Sequence, residues 1–254
     1  MRSFVVFSCL DQLFGINIDC VKRILAAQNL TEIPDEEEHI EGIFQYEDEV
    51  LRVVSFRKLI GQTSYDEQLR KLFPDLKSQH NDWMNALVKS VETDTPFNQT
   101  TDPHTCHLGK WIDSFHPDNE GVIKTMKELN FHHQRLHHSA IEVLRVRDVH
   151  ADDAKVLLED NVKDSYESTM FYLEKINDQS KDVATDLQQC LVLRDKNNKA
   201  FGVNIDKVEE IIHVDESTLH TTQETQKMGE FMNIEAILEY KGKLVTIIND
   251  MKVF

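Results

Sequence analysis

Apolar positions recur every three to four residues through the middle of the chain and every second residue at its two ends. Val122, Met126, Leu129, His133, Leu136, Ala140 and Val143 form one helical stripe, expected within a helix from about Asn119 to Val149. Leu76, His80, Trp83, Leu87 and Val91 form another. It predicts a helix from Pro74, which suits a first turn, to about Val91; extending it back through Leu69, Leu72 and Phe73 requires a kink. A short helix is expected from Asp102-Pro103 to just before His116-Pro117, with Cys106 in its first turn. A fourth helix carries Leu158, Val162, Tyr166, Met170, Leu173 and Ile176.

The ends read as strands and contain a repeat. Leu13-Phe14-Gly15-Ile16-Asn17-Ile18-Asp19-Cys20-Val21-Lys22-Arg23-Ile24 returns as Ala200-Phe201-Gly202-Val203-Asn204-Ile205-Asp206-Lys207-Val208-Glu209-Glu210-Ile211, which duplication explains simply. Each copy predicts a hairpin: Phe4 to Cys9 returning through Phe14, and Cys190 to Leu193 returning through Phe201, the latter across Asp195-Lys196-Asn197-Asn198. A second hairpin follows each, Gly42–Tyr46 with Val50–Val54 and Ala236–Tyr240 with Leu244–Ile248. Short strands at this spacing fit two small barrels better than one α/β sheet. The expected class is α+β multidomain, a pair of small β-barrels interrupted by a four-helix bundle.

Two histidines fall where a helix should be apolar. An imidazole in a core needs partners for its ring nitrogens. His133 lies mid-stripe, His137 one turn on along the same face, and His80 at the centre of the other stripe. A single such histidine is more often a core residue bonded to a carbonyl. Two helices of this kind plus Cys106 make a four-donor set that suits zinc. Nine of the 12 histidines lie between positions 80 and 150, so the imidazoles are concentrated in this segment. His104 and His107 flank Cys106 closely enough to stand as alternative ligands, and His116 sits at an expected helix end. His132 and His138 point away from the stripe, towards solvent.

The segment resembles the chemoreceptor zinc-binding (CZB) family. The family pattern is a His on the first helix, a Cys leading into Gly-x-Trp, and a His-x-x-x-His pair. Here these are His80, Cys106-His107-Leu108-Gly109-Lys110-Trp111 and His133-Gln134-Arg135-Leu136-His137. The resemblance implies a small four-helix module holding Zn2+ through His80, Cys106, His133 and His137, in a family associated with sensing zinc and oxidants such as hypochlorite. Trp111 is expected to pack beside the site and Gly109 to let helices approach.

The flanks resemble CheW, the adaptor that couples bacterial chemoreceptors to the histidine kinase CheA, on Phe-Gly-Ile-Asn-Ile-Asp-x-Val-x-x-Ile, Ile33-Pro34, Gly42 and the Val53-Val54 strand. The resemblance implies a CheW-like pair of SH3-like β-barrels interrupted by the four-helix bundle, with 1–62 as the first CheW-like lobe, 63–182 as the inserted zinc module and 183–254 as the second lobe. Two departures affect partner choice: Glu47-Asp48 stands where that family usually has Arg-Gly, and Arg23 replaces a favoured acidic residue. The reversed charges suggest a swapped Arg23–Glu47 pair.

Net charge is −17, which opposes nucleic acid and anionic membranes, and Asp35-Glu36-Glu37-Glu38 reads as solvated surface. No apolar run reaches the ~20 residues of a membrane span, and the N-terminus reads directly into a strand without a signal peptide. Cys9, Cys20, Cys106 and Cys190 lack a disulfide framework, which suits a reducing cytoplasm. No Gly-rich phosphate loop or Gly-x-Ser-x-Gly supports catalysis, and Glu128 and Glu142 read as solvated helix faces. The expectation is therefore a cytoplasmic chemotaxis adaptor and not an enzyme, with chemoreceptors and CheA as partners and a homodimer through the helical bundle as a compatible assembly. A zinc-dependent enzyme, or a zinc buffer or structural zinc protein, is the alternative.

Overall fold

The computed structural model describes residues 1–34, 37–195, 198–228 and 231–251. Asp35-Glu36 and the Lys196-Asn197 part of the expected turn lie outside the described residues. The chain divides into two compact units: Met1–Tyr65 with Ala184–Phe254, and Asp66–Val183. The architecture is mixed α+β.

Among its described residues the first unit holds eleven strands in two sheets. β1 (Arg2–Cys9), β2 (Gln12–Asn17), β3 (Val21–Ala26), β4 (Ile40–Tyr46) and β5 (Glu49–Ser55) come from the N-terminal flank, with α1 (Phe56–Leu59) after them. β6 (Gln189–Arg194), β7 (Ala200–Ile205), β8 (Lys207–Val214), β9 (His220–Met228), β10 (Met232–Tyr240) and β11 (Lys243–Met251) come from the C-terminal flank. The expected hairpins form, but the flanks are not one lobe each. The sheet orders are β8-β1-β2-β11-β10-β9 and β3-β6-β7-β5-β4. Each repeat copy keeps its first hairpin and sends its later strands to the other copy's hairpin: β3 pairs with β6, β8 with β1, β5 with β7 and β11 with β2. Hydrophobic alternation records which positions are buried and is blind to which strand supplies the neighbour.

The repeated glycine is where this exchange is tightest. Gly15 faces Ile247 on β11 and Gly202 faces Val53 on β5, both across parallel pairings. A Cβ at Gly15 would lie 2.7 Å from Ile247 Cδ1, and one at Gly202 would lie 2.9 Å from Cys190 Sγ and 3.0 Å from Val53 Cγ2. The core draws on both sheets, with Phe7, Phe14 and Phe56 in edge and stacked contacts beside Leu191, Val203 and Ile248. A second cluster, including Phe4, Val6, Ile212, Leu238 and Ile247, means that β1 is buried on both faces.

One buried ion pair ties the exchanged strands together. Arg57, 3% exposed, donates from Nε and Nη2 to the two carboxylate oxygens of Asp206, both at 2.7 Å. Asp206 also accepts from the Leu10 amide at 2.7 Å, and the guanidinium lies 4.0 Å from the centre of the Tyr65 ring. The repeat equivalent of Asp206, Asp19, is exposed, so the copies have diverged here. Hydrogen bonding by Tyr46 and Lys22 holds Glu47 below the usual carboxylate range, and the swapped Arg23–Glu47 pair adds a charge attraction to it. The pair's hydrogen bonds go elsewhere: Glu47 accepts from Lys22 at 3.3 Å and Arg23 donates to the Tyr46 hydroxyl.

The second unit is helical. α2 (Tyr65–Thr93) enters it, followed by α3 (His107–Ser114), α4 (Glu120–Arg147), α5 (Ala151–Leu157), a π-helical turn (Leu158–Val162), α6 (Lys163–Asp178) and α7 (Ser180–Asp186). Pro74 lies inside α2 rather than at its start. Leu69 and Phe73 before it and Leu76 after it are all buried, and that burial outweighs the backbone bond a proline removes. α3 starts later than expected, with Cys106 as its cap. The expected fourth helix begins earlier, at Ala151, and contains the π turn. A core of Trp83, Leu87, Val91, Leu136, Ala140, Val143, Ala154 and Val162 joins α2, α4 and the α5–α6 rod.

Removing the Asp206 carboxylate takes away the buried guanidinium's bidentate acceptor. Asp206→Ala is expected to cost about 3 kcal/mol in urea denaturation, and adding Arg57→Met is expected to add little, because the stranded charge goes with it. Additive losses from the two substitutions would show that the pair is not coupled.

Candidate metal centre

The centre is built by two long helices and one capping residue. α2 presents His80 and α4 presents His133 and His137, three rings that are at most 3% exposed. Cys106 closes the site from the α3 N-cap, where its sulfur accepts from the Gly109 amide at 3.2 Å. Gly109 serves this turn rather than a helix–helix approach: a Cβ there would sit 1.7 Å from the Pro103 carbonyl oxygen. Any side chain at 109 must displace the turn that presents Cys106.

One donor atom from each of His80, Cys106, His133 and His137 lies within 4.8 Å of the others. Cys106 Sγ is 3.3 Å from His133 Nε2 and 3.9 Å from His80 Nε2. Those distances bracket the separation of about 3.6 Å between sulfur and nitrogen ligands of tetrahedral zinc. His80 Nδ1 donates to the Leu76 carbonyl at 2.9 Å, which leaves Nε2 as the lone-pair nitrogen aimed at the sulfur. The ordinary core-histidine explanation fails for the other two rings. His133 Nδ1 and both nitrogens of His137 are buried without a hydrogen-bond partner. Buried polar atoms left so are costly, and a cation taking the lone pair of one nitrogen in each ring relieves one of the two at His137 and gives His133 Nε2, which faces the sulfur, a partner. The residues therefore fit a zinc ion.

Burial sets the protonation of the set. It pushes all three imidazoles below their usual range, His137 to about 4, and the neighbouring rings push His133 and His137 down further. The Leu76 carbonyl opposes the shift at His80. The Thr101 backbone opposes it at His137 without a hydrogen bond of ordinary geometry. Neutral imidazoles are the ligand form. Burial raises the Cys106 thiol, outweighing the Gly109 and Leu108 amides that favour thiolate. A cation in the site supplies the missing positive charge.

The other histidines stand apart. His104 is exposed and bonds Asp113 at 2.9 Å, and His107 and His116 are exposed. His138 is exposed, whereas His132 is half-buried and stacks on Tyr172. Trp111 packs edge-on against Phe73. The supporting contacts from Leu76 and Pro103 carry no sequence signal, because they are made by backbone carbonyls.

Residues 3–77 match the CheW-like domain, and residues 80–144 match the chemoreceptor zinc-binding domain. The two matches meet inside α2, and each spans less than half of the chain. The matched families are signalling and scaffolding domains, the second of them zinc-binding. Among solved structures, the crystal structure of scaffolding protein TtCheW from Thermoanaerobacter tengcongensis is 12% identical, with 98% of this chain and 88% of that chain covered at a TM-score of 0.46, too low to carry an argument. A search of curated proteins returned no match. Among the described residues, no helix is long and apolar enough to cross a membrane.

The buried rings make the metal-free protein acid-sensitive. Their folded pKa values lie below the unfolded value of about 6.5, so the stability is present above pH 6.5 and lost as pH falls towards the folded values. Between pH 7.5 and 5 the metal-free chain is expected to lose on the order of 1–2 kcal/mol for each ring without a compensating partner, read from urea midpoints. A flat profile over that range would contradict this burial.

Proposed function

We propose that the protein is a chemotaxis adaptor whose CheW-like unit couples chemoreceptors to the histidine kinase CheA, and whose helical segment, an inserted four-helix bundle, senses zinc or oxidant through His80, Cys106, His133 and His137. The observation that carries this reading is the closed set of three buried imidazoles and one cysteine, in a segment matching a zinc-binding chemoreceptor domain, between flanks that supply a single interleaved β unit. Four protein donors leave no obvious open position for a substrate, which favours sensing or structure over hydrolysis. The domain division we propose is 1–62 and 183–254 for the adaptor and 63–182 for the insertion. The Ser180 hydroxyl donates to Asp66 at 2.6 Å, so the helical segment's two ends are adjacent, as an insertion requires. The chemistry suits a cytoplasmic setting, where Cys106 stays reduced until challenged.

Zinc holds the Cys106 sulfur as thiolate when bound. The redox step consumes that thiolate and hypochlorous acid and yields a sulfenic acid and chloride. Sulfur is oxidised, chlorine is reduced, and the hydroxyl oxygen ends on sulfur. Cys106 caps α3, so losing its ligand role releases the N-terminus of that helix. α2 carries His80 and runs unbroken from Tyr65, which lies under Arg57 in the β unit, and so provides the link from site to adaptor.

The purified chain is expected to carry about one zinc, and Cys106→Ala or His133→Ala to weaken binding by orders of magnitude. Brief hypochlorite treatment should modify Cys106 before Cys9 and Cys190, whose thiols burial pushes up to about 12. CheA and receptor-tip pull-downs should change with zinc removal in the wild type and not in Cys106→Ala. Unchanged capture throughout would leave a structural zinc and end the sensing role.

A further inference from the structure

We infer that Trp83 is a positioning residue of the metal centre, the side chain that joins the helix-borne imidazoles to the segment presenting Cys106. This rests on the zinc reading above and adds a determinant of zinc retention outside the four donors. Three donors are fixed by helices. The fourth follows a non-helical strap, residues 94–105, that runs from α2 to the α3 cap. The strap's far end is pinned at Thr95, whose carbonyl accepts from Ser90 Oγ at 2.6 Å and from Arg147 Nη1 at 3.0 Å.

Close to the site, Trp83 makes the connection. It is 5% exposed, its ring lies 4.9 Å from that of His137, and its Nε1–H donates to the Thr100 carbonyl at 2.7 Å. The Phe97 ring, also on the strap, meets it edge-on at 5.5 Å. From Thr100 a run of hydrogen bonds leads to Thr105, the residue before the cysteine. The Thr100 hydroxyl bonds Thr105 Oγ1 at 2.6 Å and accepts from the Asp102 amide, and the Asp102 carbonyl accepts from the Thr105 amide. One indole thus packs its ring against His137 and holds the Cys106 turn through its N–H. Phenylalanine can do the first and not the second, since it has no N–H.

A residue that only fills the core would affect folding and leave metal affinity alone. The full chain and its Trp83→Phe variant are therefore compared in zinc affinity by competition with a chromophoric chelator, and in the rate of Cys106 alkylation by iodoacetamide in the zinc-loaded state. Trp83→Phe is expected to weaken zinc about five-fold, the effect of one lost hydrogen bond, and to speed Cys106 alkylation by a similar factor. Affinity and alkylation equal to wild type, with only the melting temperature lowered, would reduce Trp83 to core packing while leaving the zinc reading intact. A wild type that binds no zinc sinks both. Should Trp83→Phe not fold, Trp111→Phe leaves Trp83 as the sole indole. Its emission is expected to shift during zinc titration with an endpoint near one equivalent, and emission that ignores zinc overturns the inference.

Discussion

The helical unit depends on three imidazole rings held out of water against one another. Desolvation makes each ring neutral, and neutrality turns their nitrogens into donors for a cation instead of mutually repelling charges. The same burial leaves His133 Nδ1 without a hydrogen bond and His137 with only the Thr101 backbone, short of ordinary hydrogen-bond geometry. A protein core tolerates few such orphans, so the stripe on α4 is not a packing surface alone. At His133 and His137 the stripe also offers donors for a cation, while Leu136, Ala140 and Val143 on the same face go on packing the core.

The β unit shows a different economy. Duplication of a five-strand pattern could have given two independent barrels, yet each sheet is completed by the other copy's strands. Neither flank has a sheet of its own to lose, and the cluster of Phe7, Phe14 and Phe56 with Leu191 and Val203 is shared property. The Arg57–Asp206 pair lies at a junction of this exchange. It is one of the few places where charge is buried in the unit, and its partners come from both flanks.

Much of this was legible in the sequence, for reasons that can be named. The helices of the site announced themselves by period, and the four donor positions stood out because histidine is anomalous on an apolar stripe. The hairpins followed from alternation and the Phe-Gly repeat. What could not be read were relations fixed by tertiary neighbours: which copy pairs with which, that Lys22 makes the hydrogen bond to Glu47, and that Gly109 yields space to the Pro103 carbonyl. Backbone carbonyls and strand partners leave no trace in residue type. The cap at Cys106 was nearly visible, but cysteine is an unusual cap, and its sulfur takes that role because it must already face the imidazoles.

The strand exchange also bears on the order in which the chain can fold. β1 and β2 can close as a hairpin as soon as they are made, but β3 and β5 must wait for β6 and β7, which emerge only after the whole helical segment has been synthesised. During that wait the unpaired edges of β2, β3 and β5 are open to wrong partners. An interposed segment of this length would impose a slow search if it were slack. A helical unit that folds early, with Asp66 and Ser180 bonded to each other, shortens the effective gap to that of a small loop and delivers the second flank beside the first.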